Sequence, residues 1–192
     1  MLIRTEQTPN PATRKFLPGQ TVMDTGSRDF PDAQSAQSSP LAAALFDTGL
    51  VEGVFFGRDF ISVTAAPGVP WNDLEPDVVG ILLDHFVSGA PLFNSASAAG
   101  IQVADAPAVD EDPADAEIID QIKELIETRV RPAVAQDGGD ITFHGFDRGV
   151  VYLHMQGACA GCPSSTLTLK MGIENLLRHY IPEVTEVRPV AA

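Results

Sequence analysis

The sequence predicts an α+β protein: two small α+β domains joined by a flexible acidic linker. Three observations carry that reading. Short alternating runs and amphipathic helical runs follow one another in both halves. Residues 95–114, rich in Ala, Asp and Pro and without aromatics, separate the halves. Eight of the ten phenylalanines precede this stretch, so the first half can build a core of its own. The expected boundaries are 1–94 for an N-terminal domain, 95–114 for the linker and 115–192 for a C-terminal domain.

In the first half, residues 2–6 alternate and read as a strand. Asn10-Pro11-Ala12-Thr13 and the segment Phe16-Leu17-Pro18-Gly19 read as turns, and residues 20–23 as a second strand. Ser39 followed by Pro40 marks a helix start, with Ser39 as cap and Pro40 in the first turn. That helix is expected through Phe46, ending near Gly49. Residues 51–56 and 60–64 read as a hairpin turning at Gly57-Arg58-Asp59. A second helix is expected from Trp71 to Phe86, burying Val78, Val79, Leu82, Leu83 and Phe86.

The second half opens with a helix in which Ile118, Ile119, Ile122, Leu125, Ile126 and Val130 recur at helical spacing, with Pro132 near its end. Asp137-Gly138-Gly139-Asp140 breaks it. Residues 141–146 and 150–155 form a hairpin turning at Asp147-Arg148-Gly149. A helix from Pro163 to Tyr180 follows, burying Leu167, Leu169, Ile173, Leu176 and Leu177. Residues 184–188 close the half as a strand. The order is α-β-β-α-β, with a C-x-x-C loop before the second helix.

Composition excludes some functions. The net charge is −14, and the acid is spread over both halves. Neither half offers a basic footprint for nucleic acid or anionic lipid. No apolar run approaches the roughly 18 residues of a membrane helix. The first residues lack the apolar stretch of a signal peptide and the Arg- and Ser-rich character of a transit peptide. A cytoplasmic place is therefore expected, and a structural disulfide is not.

Cys159 and Cys162 are the only two cysteines. Pro163 suits the first position of a helix, which puts Cys162 at the cap and Cys159 in the loop before it. Unpaired N–H groups there favour negative charge, so both thiols are expected to ionise more readily than a free cysteine. Neither is expected to matter to the core. Such a pair can cycle to a disulfide, hold half of a zinc or hold half of an iron–sulfur cluster. Thioredoxin-like folds place the motif early and follow it with much of their sheet; here one helix and one strand follow. Zinc needs four ligands, and His144, His154 and His179 lack tight spacing with the cysteines. Zinc shared between two chains meets the need. So does a cluster held by four thiolates, two from each of two chains related by a two-fold axis. Asp137 and Asp140 read as part of a helix-ending turn before an acid–base pair. Lys170 reads as a solvated helix residue before a partner for cluster charge, and Trp71 as a packing residue.

The loop Gly157-Ala158-Cys159-Ala160-Gly161-Cys162-Pro163-Ser164-Ser165, with Thr168-Leu169-Lys170 and Gly172-Ile173-Glu174 after it, resembles the NifU-like C-terminal domain of Nfu proteins. Asp137-Gly138-Gly139-Asp140 is similar to that domain's approach to its hairpin. The opening residues, Arg4 to Pro11 and Lys15-Phe16-Leu17-Pro18-Gly19, resemble the Nfu N-terminal domain. The resemblance implies a non-enzymatic scaffold and carrier for iron–sulfur clusters. It implies a cluster, [4Fe-4S] first and [2Fe-2S] second, bound by Cys159 and Cys162 of two subunits in a homodimer. It implies apo iron–sulfur client proteins and cluster-assembly factors as partners; the acidic charge and the lack of a long apolar run argue against nucleic acid and membrane. It implies a bacterial cytoplasmic protein, or a mitochondrial matrix protein if the chain is a trimmed organellar form.

Overall fold

The computed structural model describes residues 2–94, 115–160 and 163–190, and the backbone alone for residues 163–165. The expected linker, 95–114, lies outside the described residues. The chain divides into two compact units, Met1–Val103 and Ala104–Ala192, and each combines helices with a sheet. The α+β expectation holds for both. No helix among the described residues is long and apolar enough to cross a membrane.

In the first unit, β1 (Arg4–Gln7), β2 (Thr13–Leu17), β3 (Arg28–Phe30), β4 (Val51–Phe56) and β5 (Ile61–Ala65) form an antiparallel sheet in the order β1-β2-β5-β4-β3. Three helices accompany it: α1 (Ala33–Ala36), α2 (Pro40–Phe46) and α3 (Trp71–Ser88). Phe16, Phe30, Leu41, Leu45, Phe56, Ile61, Leu74 and Leu82 fill the core. Ser39 caps α2 as its sequence foretells. Its hydroxyl oxygen accepts from the Ala42 N–H at 3.3 Å, and the hydroxyl donates to the Leu92 carbonyl at 2.6 Å. α3 extends two residues past the expected end and stops where Gly89 takes φ +66°. Leu74, Val78 and Leu82 are its buried residues, while Val79, Leu83 and Phe86 are partly buried.

Two strand assignments are corrected. Thr13, Phe16 and Leu17 are not turn residues but belong to β2, which pairs with both β1 and β5. Their strand escapes the alternation rule because polar Thr13 and Lys15 are buried on the face opposite the core residue Phe16. Thr13 is buried against Thr64, with their hydroxyls 2.9 Å apart. Lys15 is buried too, its ammonium 4.7 Å from the Phe60 ring centre and 4.0 Å from a Glu6 carboxylate oxygen. Residues 20–23, expected as a strand, are irregular. The Val22 and Met23 N–H groups both donate to the Arg58 carbonyl, which pins this apolar pair as a loop. The third strand is instead the short β3, at the sheet edge.

In the second unit, α4 (Ala116–Leu125) runs through a π-helical turn (Ile126–Val130) into α5 (Arg131–Gln136). Pro132 has no N–H to give the ordinary helical partner four residues back, and the chain accommodates it by widening the turn before it. The Arg131 N–H accordingly donates to the Ile126 carbonyl, five residues back. β6 (Gly139–Asp147) and β7 (Val150–Gly157) are antiparallel. Arg148 and Gly149 turn their hairpin with φ +47° and +84°, the backbone that a tight turn of matching twist demands. α6 (Pro163–Tyr180) crosses over to β8 (Glu186–Val190), which lies parallel to β7. The α-β-β-α-β order stands, with β8 two residues later than expected. Leu167 corrects the expected burial of α6. It is exposed, as is Met171, while Ile173 and Leu177 face the core.

Candidate cysteine site

β7 ends at Gly157, whose φ of +64° turns the chain toward α6. Three hydrogen bonds fix the turn that follows. The Ala158 N–H donates to the Gly138 carbonyl at 3.2 Å, and the Ala160 N–H to the Gly157 carbonyl at 3.0 Å. The Thr166 hydroxyl donates to the Cys159 carbonyl at 3.0 Å, tying the turn to the first part of α6. Cys159 stands in this loop, and α6 starts at Pro163, both as the sequence predicts. Cys162 and Gly161 lie outside the described residues.

Cys159 departs from two expectations. It is only 5% exposed and packs in the core of the second unit with Ile141, Met155 and Ile173 among its members. Burial pushes its thiol up to about 12, and the carboxylates of Asp137 and Asp140 add to the rise. It does not ionise more readily than a free cysteine. The positive end of a helix acts within about one turn of its first N–H groups. Cys159 precedes that turn and sits in an apolar recess beside two acids, so desolvation wins.

Asp140 is buried within β6 and not in the helix-ending turn. Its two oxygens accept from Arg131 Nε at 2.8 Å and Nη2 at 2.7 Å, and one also accepts from the Ile141 N–H at 2.8 Å. Arg131 Nη1 donates to Glu127 at 2.8 Å. The guanidinium is held firmly charged by Asp140. This fork fastens the start of α5 to the first residues of β6, which leaves Asp140 a structural role. Asp137 does belong to the helix end: its N–H donates to the Val134 carbonyl at 3.1 Å. Sequence reasoning passed over Arg131, because a partner nine positions away obeys no spacing rule.

The remaining candidates are dispersed, except that His144 lies near enough to His154 to add to the lowering of its pKa by burial. Lys170 reaches Glu186 at 3.8 Å, linking α6 to β8. Trp71 packs on Phe16 with ring centres 6.2 Å apart, lies under Arg14 and donates its indole N–H to the Pro11 carbonyl. His154 stands in β7 opposite Thr142, His144 in β6 and His179 in the last turn of α6 against Tyr180. Among the described residues, no three His, Cys, Asp or Glu side chains gather as metal ligands.

Comparison with known proteins adds the following. The family model described as a NifU-like domain matches residues 122–188, and that described as scaffold protein Nfu/NifU N terminal matches residues 3–89. "NifU-like protein 5, mitochondrial" of Arabidopsis thaliana is 51% identical over 97% of this chain and 67% of its own length. "NFU1 iron-sulfur cluster scaffold homolog, mitochondrial" of Drosophila sechellia is 47% identical over 99% of this chain and 65% of its own length. The Homo sapiens protein of the same name is 46% identical over 99% of this chain and 72% of its own length. The chain thus spans about two thirds of the length of the curated relatives it matches. The solution structure of a NifU-like protein from Saccharomyces cerevisiae aligns with a TM-score of 0.45 at 24% identity, covering 50% of this chain and 86% of its own.

Proposed function

This chain belongs to the Nfu family of scaffold proteins, and on that premise we propose that it carries iron–sulfur clusters as cargo and hands them to apo-proteins. Cys159 and Cys162 are the proposed ligands. One observation carries the stoichiometry: the chain holds two cysteines and no more. A cluster usually takes four thiolates, so two copies must meet at their C-x-x-C loops. The names of the relatives, which include iron–sulfur cluster scaffold, support the cargo. Their mitochondrial names support the organellar of the two compartments expected from the sequence.

A cluster at a subunit junction can leave when the two copies part. That geometry suits delivery and calls for no catalytic group in the chain, so the proposed role is not enzymatic. [4Fe-4S] is the proposed cargo and [2Fe-2S] its alternative. Apo iron–sulfur proteins and assembly factors are the proposed partners, and the first unit, which supplies no thiol, is the proposed docking module for them.

Anaerobic reconstitution with iron and sulfide tests the reading. About four irons per dimer, with the matching Mössbauer spectrum, support [4Fe-4S], and about two support [2Fe-2S]. Zinc retained in place of iron, or a reversible intramolecular disulfide with no iron retained, would overturn the proposal in favour of a zinc-bridged dimer or a dithiol oxidoreductase. Cys159→Ala and Cys162→Ala should each abolish cluster retention. A chain lacking residues 1–94 should retain the cluster and lose transfer to its clients.

A further inference from the structure

We propose that Gly139 is a positioning residue for Cys159: its missing side chain leaves a backbone-walled recess that keeps the Cys159 sulfur out of solvent until a cluster is taken up. The inference rests on the cluster-carrying reading above. A Cβ built on Gly139 would stand 2.6 Å from Cys159 Sγ, 2.6 Å from the Gln156 carbonyl oxygen and 3.1 Å from the Cys159 nitrogen. Real Cβ atoms essentially never come as close as the two contacts at 2.6 Å. Two of the three neighbours are backbone, held by the pairing of Gly139 with Gly157 and by the Ala158 N–H bond to the Gly138 carbonyl. The Gln156 carbonyl cannot give way without moving β7. The sulfur can move by rotating about its own side-chain bond.

The glycine is not there for backbone freedom. Gly138 takes φ +83°, a conformation that favours glycine, whereas Gly139 does not share the positive φ. The two adjacent glycines therefore do different work: Gly138 turns the chain out of α5, and Gly139 makes room. The result is a cysteine only 5% exposed, at the mouth of a loop that must present it to a second chain. A sulfur shared with another copy has to stand at the surface, so the turn at 158–160 must swing outward on loading. The Ala158 and Thr166 hydrogen bonds part in that movement, a local opening of the turn.

Alkylation of the iron-free chain by iodoacetamide tests this, in a Cys162→Ser background where Cys159 is the one thiol. Adding Gly139→Ala should speed modification on the order of tenfold, because the added methyl displaces the sulfur. A folded Gly139→Ala chain, judged by circular dichroism, that reacts no faster overturns the proposal. If that variant does not fold, the glycine-bearing chain decides. Its Cys159 must react at least about tenfold more slowly than in urea, and Thr166→Val must hasten it. Equal rates with and without urea, or no effect of Thr166→Val, overturn it. Iron uptake by the unsubstituted chain is read separately. A protected thiol without uptake defeats the cluster reading alone; uptake with an unprotected thiol defeats the recess alone.

Discussion

Cys159 shows how far one side chain can depart from its motif. The folded state holds its proton more tightly than the unfolded chain does, with the thiol pushed from 9.0 to about 12 by burial first and by Asp137 and Asp140 next. Its contribution to stability is therefore complete below the unfolded thiol's range and falls as pH climbs through the interval between those two values. Urea denaturation across that interval should show a loss in the wild-type chain that Cys159→Ala lacks. Parallel curves for the two chains would refute the buried, protonated thiol. Gly149 makes a second test at this scale. It has φ +84°, and a Cβ there would meet Thr185 Oγ1 at 2.8 Å and the Glu183 carbonyl oxygen at 2.9 Å. Gly149→Ala combines backbone strain with a clash, and should cost about 2–3 kcal/mol in chemical denaturation.

Elements are joined by contacts that pair residues far apart in the chain. The Arg131–Asp140 fork fastens α5 to β6, with the Asp140 side chain 8% exposed and that of Arg131 27%. Removing Asp140 breaks both charge-assisted bonds of the fork and leaves the guanidinium its Glu127 contact. Asp140→Ala should destabilise the second unit by about 3 kcal/mol, measured by thermal or urea unfolding. In the first unit, Ser39 serves α2 twice, as its cap and as donor to the Leu92 carbonyl. Ser39→Ala should cost about 1–2 kcal/mol, and Ser39→Thr should recover part of it if the buried site admits the extra methyl. The helices were the more legible elements in the sequence. Ser39-Pro40 and Cys162-Pro163 mark their starts by local chemistry, and α2 and α6 begin where those residues put them. β2 was not legible, because Thr13 and Lys15 are buried by partners on other strands and the alternation of polar and apolar residues disappears.

At the scale of the molecule, the two units each own a core. Phe16, Phe56 and Leu82 belong to one, and Ile122, Ile141 and Leu177 to the other. We propose the division 1–94, 95–114 and 115–192 for the two domains and their linker. Chains of residues 1–94 and 115–192, made separately, should each unfold in one cooperative transition. Amide signals of each piece should overlay those of the whole chain. A piece that collapses without its partner would show that the boundary is misplaced or that the cores depend on one another.

The sequence by itself determined the α+β class, the α-β-β-α-β order of the second unit, the helix starting at Pro163 and the placing of Cys159 in the loop before it. These follow from periodicity, caps and turn residues, which act over a few neighbours. Only the tertiary structure decided that Cys159 is buried and hard to ionise, that Asp140 is spent on Arg131, and that Gly139 stands against a sulfur twenty residues on. Burial and close approach are properties of surfaces brought together by folding. No spacing along the chain encodes how much water remains between them.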